Sequence, residues 1–339
     1  MSGKMKRIQT LLSIAVCLLT ACDKVSPLGV LMAGTAVEDR VKMSDLFYRQ
    51  HYNEKVYLSA EGDYSFIVGA DSHLTTDPGR MDEMLAIGLR DDDLFYAHLG
   101  DIADTKAEYY ITLDSLIQEA KTRYVRAHYT VADDGYHYIY NGPGRATMTY
   151  DEITYPFFPV VGNHDITHNG WALWSNIFHS SFYEIDVLVV KEDGDIAFDH
   201  LIFLDSASGT LGQTQIDLIN QGVLDGKYGG GESIYRNTFV FSHTNIFRPQ
   251  FFEFASTFTR EETFYLLNQF EKWNATCVFC GHVHKWDERD FNGVHYLTLE
   301  SMNENENPDP GDYMVRINVN QDGSVDWEPV RMNYSPKKK

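Results

Sequence analysis

Positive charge is scarce in this chain: 28 Lys and Arg stand against 49 Asp and Glu in 339 residues, a formal net charge of -21. Lys4, Lys6 and Arg7 are the only charges in residues 1–21, which leaves 25 basic against 49 acidic residues beyond them. Such a surface repels nucleic-acid phosphates and speaks against a nucleic-acid partner. It does not exclude a small phosphorylated substrate, because cations gathered in a cleft invert the local field. Metal ligands are therefore the residues to look for. Long apolar runs are also missing outside residues 11–19, which excludes a multi-span membrane protein. No internal repeat or long low-complexity stretch occurs. With 43% hydrophobic and 14% aromatic residues the chain can bury a sizeable core, so disorder and collagen are excluded.

Cysteine is nearly absent, with four in all. Cys277 and Cys280 form C-x-x-C, which invites a redox or zinc reading. Yet Thr276-Cys277-Val278-Phe279-Cys280 is an apolar, β-branched run that predicts a buried strand. Three residues along a strand separate Cα atoms by about 10 Å and turn the side chains to opposite faces, so the two are expected to be packing thiols.

The other two cysteines lie at the amino terminus. Lys4, Lys6 and Arg7 form a basic region, Leu11 to Leu19 an apolar one, and Leu19-Thr20-Ala21-Cys22 resembles the lipobox of bacterial lipoproteins. The resemblance implies a signal peptide over 1–21 and a lipid on the Cys22 thiol. It also implies attachment to a membrane of the bacterial cell envelope, at the outer membrane or periplasmic face. The alternative is an ordinary cleaved signal with an accidental Cys. Residues 22–60 then read as a tether and N-terminal extension, and 61–339 as the folded domain.

Within that domain short apolar runs, Ser65–Ala70, Leu94–Leu99, Phe157–Val161, Leu201–Leu204, Thr238–Phe241 and the Cys277 run, alternate with segments of helical spacing at Met81–Leu89, Tyr109–Ala120, Gln213–Leu224 and Glu261–Trp273. Alternation of this kind predicts an α/β architecture. Strand-like runs at Val294–Leu299, Tyr313–Val319 and Ser324–Val330 come next without helices, and predict a second sheet made of late strands.

The residues just past each early strand are chemically unusual: Asp71-Ser72-His73, then Gly100-Asp101-Ile102-Ala103-Asp104, Gly162-Asn163-His164-Asp165, Ser242-His243, and Gly281-His282-Val283-His284. Ligand sites in α/β sheets gather at the carboxyl ends of strands. In extended backbone the two functional residues of D-x-H and of H-x-H project to the same side. Glycine before Asp101, Asn163 and His282 allows a tight turn there. Asp, Asn and neutral His supply oxygen and nitrogen without thiolate, which suits Mn, Fe, Zn, Co or Ni. Seven donors are enough for two incomplete shells with room for water.

The ordered set D-x-H, G-D-x-x-D, G-N-H-D, lone H and G-H-x-H, over about residues 65–300, resembles the calcineurin-like metallophosphoesterase superfamily. The resemblance implies a β-sandwich of two mixed sheets flanked by helices. It implies one metal on Asp71, His73 and His284, another on Asn163, His243 and His282, and Asp101 bridging them. Catalysis would fall to Asp101 and His164, the latter stabilising the transition state or protonating the leaving oxygen, with Asp104 as its partner. The purple acid phosphatase branch has a Tyr ligand in its second block and lacks the His of the first. Asp104 and His73 occupy those places here, which disfavours that branch. Two divalent or trivalent cations about 4 Å apart would activate a shared water as a bridging hydroxide, neutralise phosphoryl oxygens and hold an in-line geometry. The implied activity is hydrolysis of a phosphomonoester or phosphodiester. A non-catalytic binding or scaffolding lipoprotein on a decayed phosphoesterase fold is the alternative.

Other residues read more plainly. His98 is expected to be a core histidine, His168 a loop residue near the site, Asp91-Asp92-Asp93 a solvated turn, and Arg248 and Lys285 solvated cations within reach of a substrate phosphate. Between Asp104 and Gly162 the chain is longer than one crossover requires. Its stretch 124–155, with His128, Tyr129, Tyr136, Tyr138 and Tyr140 around Asn141-Gly142-Pro143-Gly144, predicts a hairpin-like insertion. It would either overhang the metals, its aromatics choosing the organic part of the substrate, or pack as an edge hairpin.

Overall fold

In the computed structural model the described residues are 35–336, apart from 53–55, 92, 105, 129, 132–136, 140–145, 149–154, 226–232 and 248–256. Two mixed sheets face each other. The larger has the order β1 (Val56–Glu61), β8 (Tyr183–Val190), β9 (Ile196–Leu204), β10 (Tyr235–Ser242), β11 (Cys277–Cys280), β13 (Val294–Thr298) and β12 (Asp287–Phe291). The smaller runs β15 (Val325–Met332), β14 (Gly311–Val319), β2 (Tyr64–Gly69), β3 (Phe95–His98) and β7 (Phe157–Pro159). Aromatic side chains fill the space between them. Phe203, Phe241 and Phe279 stack in sequence across the larger sheet, with ring centroids 4.5 and 5.1 Å apart, and Phe66 meets Phe239 edge-on at 5.3 Å.

Helices cover both outer faces. α2 (Gly79–Asp91) and α3 (Ala107–His128) bury Met84, Leu85, Leu113 and Ala120 against the smaller sheet. Two short helices, α4 (Asn163–Ile166) and α5 (Trp171–Ile177), come between β7 and β8. α6 (Gly212–Asn220) and α7 (Arg260–Lys272) bury Ile219, Leu266 and Phe270 against the larger sheet. The Thr259 hydroxyl caps α7 by accepting from the Glu262 amide at 3.2 Å. None of the helices among the described residues is long and apolar enough to cross a membrane.

Four expectations need correction. The late strands do not form a sheet of their own. β13 pairs parallel to β11 in the larger sheet, while β14 runs antiparallel beside β2 and closes its otherwise open edge in the smaller one.

The domain also begins well before residue 61, so 22–60 is not a tether throughout. Helix α1 (Val37–Tyr52) buries Val37 and Val41 with Ile202 and Leu204, and β1 pairs parallel to β8. Fully buried Arg40 donates from Nε and Nη2 to the Asp205 carboxylate, 2.8 Å each. A buried charge needs such a partner, so this contact commits α1 to the fold.

Asp93 is no solvated turn residue. It is buried, accepts from the Ser65 hydroxyl at 2.7 Å, and pairs bidentately with Arg316 at 2.8 and 3.0 Å.

Finally, the insertion starts later than 124. α3 runs through Tyr124, whose ring packs edge-on against buried Tyr155 at 5.7 Å. Beyond it, β4 (Thr130–Val131), β5 (His137–Ile139) and β6 (Ala146–Met148) form a small antiparallel sheet. Tyr129, Tyr136, Tyr140 and the Asn141–Gly144 turn lie outside the described residues.

Cys277 and Cys280 are free, buried and on opposite faces, one in the inter-sheet core and the other under α7.

Candidate metal centre

Parallel strands β2, β3 and β7 of one sheet and β10 and β11 of the other end at the same edge of the sandwich. The chain leaving those ends carries every residue of the five sequence blocks. Two donor sets result. Asp71, His73, Asp101 and His284 each turn one ligand atom into a space where all lie within 4.8 Å of one another; Asp101, His243 and His282 do the same beside them. Asn163 joins the second set, its Oδ1 2.9 Å from His243 Nε2. Asp101 belongs to both sets, with Oδ2 3.5 Å from His243 Nε2 and 3.9 Å from His73 Nε2.

Ring nitrogens face one another at the centre of each set. His73 Nε2 and His284 Nε2 are 3.4 Å apart, and His243 Nε2 and His282 Nδ1 are 3.1 Å apart. Lone pairs aimed at each other and at carboxylate oxygens repel unless a proton or a cation lies between them. The donors, imidazole, carboxylate and one amide oxygen with no thiolate, fit two transition-metal cations.

The backbone that presents them is not extended, which corrects the reasoning from strand alternation. Asp71, His73, Asp101, His282 and His284 all have positive φ, between 43° and 71°. Left-handed backbone is uncommon outside glycine and clusters at functional sites. The loops are pinned to each other by backbone bonds from Asp71 N to Gly100 O, His73 N to Asp101 O and Leu74 N to Ile102 O, at 3.1, 3.0 and 2.7 Å. Of the three flanking glycines only Gly100 has positive φ, at 89°. Gly162 and Gly281 are needed for clearance: a Cβ on Gly162 would strike the Asp101 amide and carboxylate, and one on Gly281 would come within 2.7 Å of Asp71 Oδ2.

His164 stands at the rim, about half exposed like Asp104. Its amide donates to Asp101 Oδ1 at 2.7 Å and its Nδ1 lies 3.0 Å from Asp104 Oδ1. That hydrogen bond, against a smaller opposing effect of burial, lifts its pKa to about 9. Asp104 also holds His73 Nδ1 at 3.3 Å, and His73, Asp104 and His164 form a third cluster of donors. His98 is a core histidine: it is fully buried with neither ring nitrogen partnered among the described residues, and burial pushes its pKa down to about 3. His168 and Lys285 are exposed, and Arg248 lies outside the described residues.

Several supporting groups escaped the sequence reading. His243 Nδ1 is held by the Leu99 carbonyl at 2.8 Å, and His284 Nδ1 by Glu306 Oε2 at 2.6 Å. Ser301 Oγ donates to the Asp71 carbonyl at 2.8 Å. Buried Asp165 accepts from the amides of Gly162, Ile102 and Ala103 at 2.8 to 3.2 Å, tying the loop after β3 to the loop after β7. Burial, followed by the charge of Asp101, raises the Asp165 pKa. G-N-H-D announced this Asp, but spacing alone gave it no task.

No family model matches the chain, and no curated protein does. Solved structures do. One described as GAP50, the anchor in the inner membrane complex of Plasmodium, is 11% identical, with 82% of this chain and 90% of that chain covered and a TM-score of 0.50. A dimetal phosphatase from Danio rerio is 12% identical over 80% of this chain and 99% of that one, TM-score 0.44. A putative 5'-nucleotidase of Staphylococcus aureus is 12% identical over 81% and 55%, TM-score 0.42. At these identities the likeness concerns the fold alone. Two mixed sheets flanked by helices, with the donors at one edge, give this chain the α/β sandwich that the sequence led us to expect.

Proposed function

We propose that this protein is a dinuclear-metal-dependent phosphoesterase, with Asp71, His73 and His284 holding one cation, Asn163, His243 and His282 the other, and Asp101 serving both. The observation that carries the reading is Asp101: a buried carboxylate common to two donor sets, with a rim histidine held by its own carboxylate alongside. Cations held there would supply Lewis acidity, neutralising phosphoryl oxygens and lowering the pKa of an attacking water. The chain supplies the rest. Asp101 Oδ1 accepts the His164 amide, which fixes the rim residue against the shared ligand. Asp104 holds His164 Nδ1, so the proton on Nε2 is the one free to pass to the leaving oxygen as the ester bond breaks. The same bond to Asp104 favours the protonated ring.

The lipobox-like Leu19–Cys22 supports placing this activity at the bacterial cell envelope, on a lipid anchor, with a small phosphorylated compound as substrate. A second reading has one observation in its favour: the neighbour with the TM-score of 0.50 is described as an anchor, so this fold also serves without a named reaction. Against it, all seven donor positions of this chain and the rim His164 keep competent side chains.

The test is a metal-reconstituted soluble form, residues 23–339, assayed against phosphomonoesters, diesters and pyrophosphates. Two ions per chain and turnover of at least one class are expected. Stoichiometry fixed at one under metal excess, or two ions without turnover, defeats the enzyme reading and favours the anchor. For the location, Cys22→Ser should move the protein to the soluble fraction or leave it as an uncleaved precursor. Unchanged membrane association of a cleaved variant removes the lipid anchor.

A further inference from the structure

The segment Ser301–Asp309 (SMNENENPD) contains none of the five blocks and reads as an ordinary polar loop. Its contacts are not ordinary. Ser301 Oγ donates to the Asp71 carbonyl and the Met302 amide to the Ala70 carbonyl, at 2.8 and 2.9 Å. Glu306 Oε2 sits 2.6 Å from His284 Nδ1. The loop thus touches two ligands of the first donor set and none of the second.

A buried cation holds the loop in shape. Arg80, in the first turn of α2 and 1% exposed, pairs with no carboxylate among the described residues. Its guanidinium donates to the carbonyls of Met302, Asn307 and Asp309, at 3.2, 2.5 and 2.8 Å, and lies 4.0 Å above the Tyr313 ring. Five rigid donors in a planar fork suit three converging carbonyls in a way an ammonium cannot. Inside the loop, Asn307 Nδ2 donates to the Ser301 carbonyl at 2.8 Å and the Glu306 amide to the Asn303 carbonyl at 3.1 Å. Glu306 is therefore delivered to His284 by a loop fixed at both ends.

We infer that Glu306 is a positioning residue for the first cation of the proposed centre, acting through His284. Accepting a hydrogen bond from Nδ1–H selects the tautomer whose Nε2 lone pair points at Asp71 and His73, stops the ring from rotating, and makes that lone pair more basic. Carboxylates behind ligand histidines act in this way. This rests on the two-metal reading above, and deepens it by giving one cation a carboxylate-backed histidine where the other has one backed by the Leu99 carbonyl.

The experiment is calorimetric titration of the metal-stripped full chain with Mn or Zn, on wild type, Glu306→Ala and Glu306→Gln, with thermal melting of the metal-free proteins alongside. Glu306 is half exposed, so both variants are expected to melt as wild type does. Glu306→Ala should weaken one of two ions by about 10- to 100-fold and leave the other unchanged. Glu306→Gln, whose amide oxygen still accepts from Nδ1–H, should recover most of the loss. Two ions bound by Glu306→Ala as tightly as by wild type overturn the inference and leave the phosphoesterase reading standing. Equal weakening of both ions, or a Gln variant as weak as the Ala one, overturns it as well, since charge and not orientation would then be at work. Failure of the wild type to bind two ions overturns the two-metal reading itself.

Discussion

Around the first donor set stand three carboxylates besides Asp101: Asp71 within it, Asp104 behind His73 and Glu306 behind His284. The second set has neutral Asn163 and a histidine whose Nδ1 is hydrogen-bonded by the Leu99 carbonyl, with Asp71 Oδ1 farther off at 3.9 Å. Protons divide the same way. Burial works to lower the His284 pKa, but the hydrogen bond and charge of Asp71, with Glu306 added, outweigh it and lift the value to about 9. For His73 burial is likewise overcome, by Asp104, Asp101 and Asp71, and the shift is upward. His282 goes the other way, down to about 4, through burial and the neighbouring charge of His243. The first set thus attracts a cation more strongly yet must release protons to take it. In the second set His282 is bare at neutral pH, and with a neutral Asn163 in place of a carboxylate that set attracts less.

The severest way to break this comparison is to remove what the sets share. Asp101→Ala should drop metal content well below two per chain and take turnover to near background, read by elemental analysis and a phosphoesterase assay. One tightly held ion surviving would show the sets to be independent. His164→Ala leaves both sets complete, so both ions should stay while turnover on an alkyl phosphate falls about 100- to 10,000-fold, with a much smaller loss on a nitrophenyl ester that needs no proton. Equal losses on both substrates would deny His164 the acid role.

Glycines separate the sets at lower cost. Gly281→Ala presses on Asp71 Oδ2, whereas Gly100→Ala presses on His243 Nδ1, each at 2.7 Å. Each should destabilise the fold by about 1–3 kcal/mol in a denaturant melt. The first change should weaken the first ion selectively and the second change the other. The mildest effect is in pH. Affinity of the first set should rise by about tenfold per unit for the His284 proton alone as pH climbs toward 9, because deprotonated His284 is the binding form, while the His282 proton adds no slope to the second set above about 5. Parallel pH slopes in a competition titration would erase the distinction.

The donor residues that the fold brings together were legible in sequence because each sits in a short block at a strand end, where composition is abnormal. The edges of the fold were less so. β1, β8 and β12 were missed: β1 and β12 are edge strands, which carry weak apolar patterns, and β8 is a long run of mixed burial. α1 mixes charges of both signs among its apolar residues, and the contacts that dock it are distant in sequence, Arg40 with Asp205 165 positions away and Val37 and Val41 with Ile202 and Leu204. Supports such as Glu306, Arg80 and Leu99 act through backbone carbonyls or across long separations, which leave no spacing to read. The left-handed loops escaped for a related reason, since Asp and His tolerate that backbone without announcing it as glycine does.

The Arg40–Asp205 pair has a mechanical side. Asp205 comes directly after β9, an interior strand bonded on both flanks, and Arg40 Nη1 also takes the Thr35 carbonyl at 2.5 Å. A pull on the chain before Thr35 is therefore delivered to the middle of the larger sheet and not to β1, the edge strand that would peel first. The load arrives beside Ser206, whose hydroxyl bonds the Ser242 hydroxyl and the Thr244 amide on either side of His243. Traction at the amino terminus and the posture of a donor histidine of the second set share one set of hydrogen bonds.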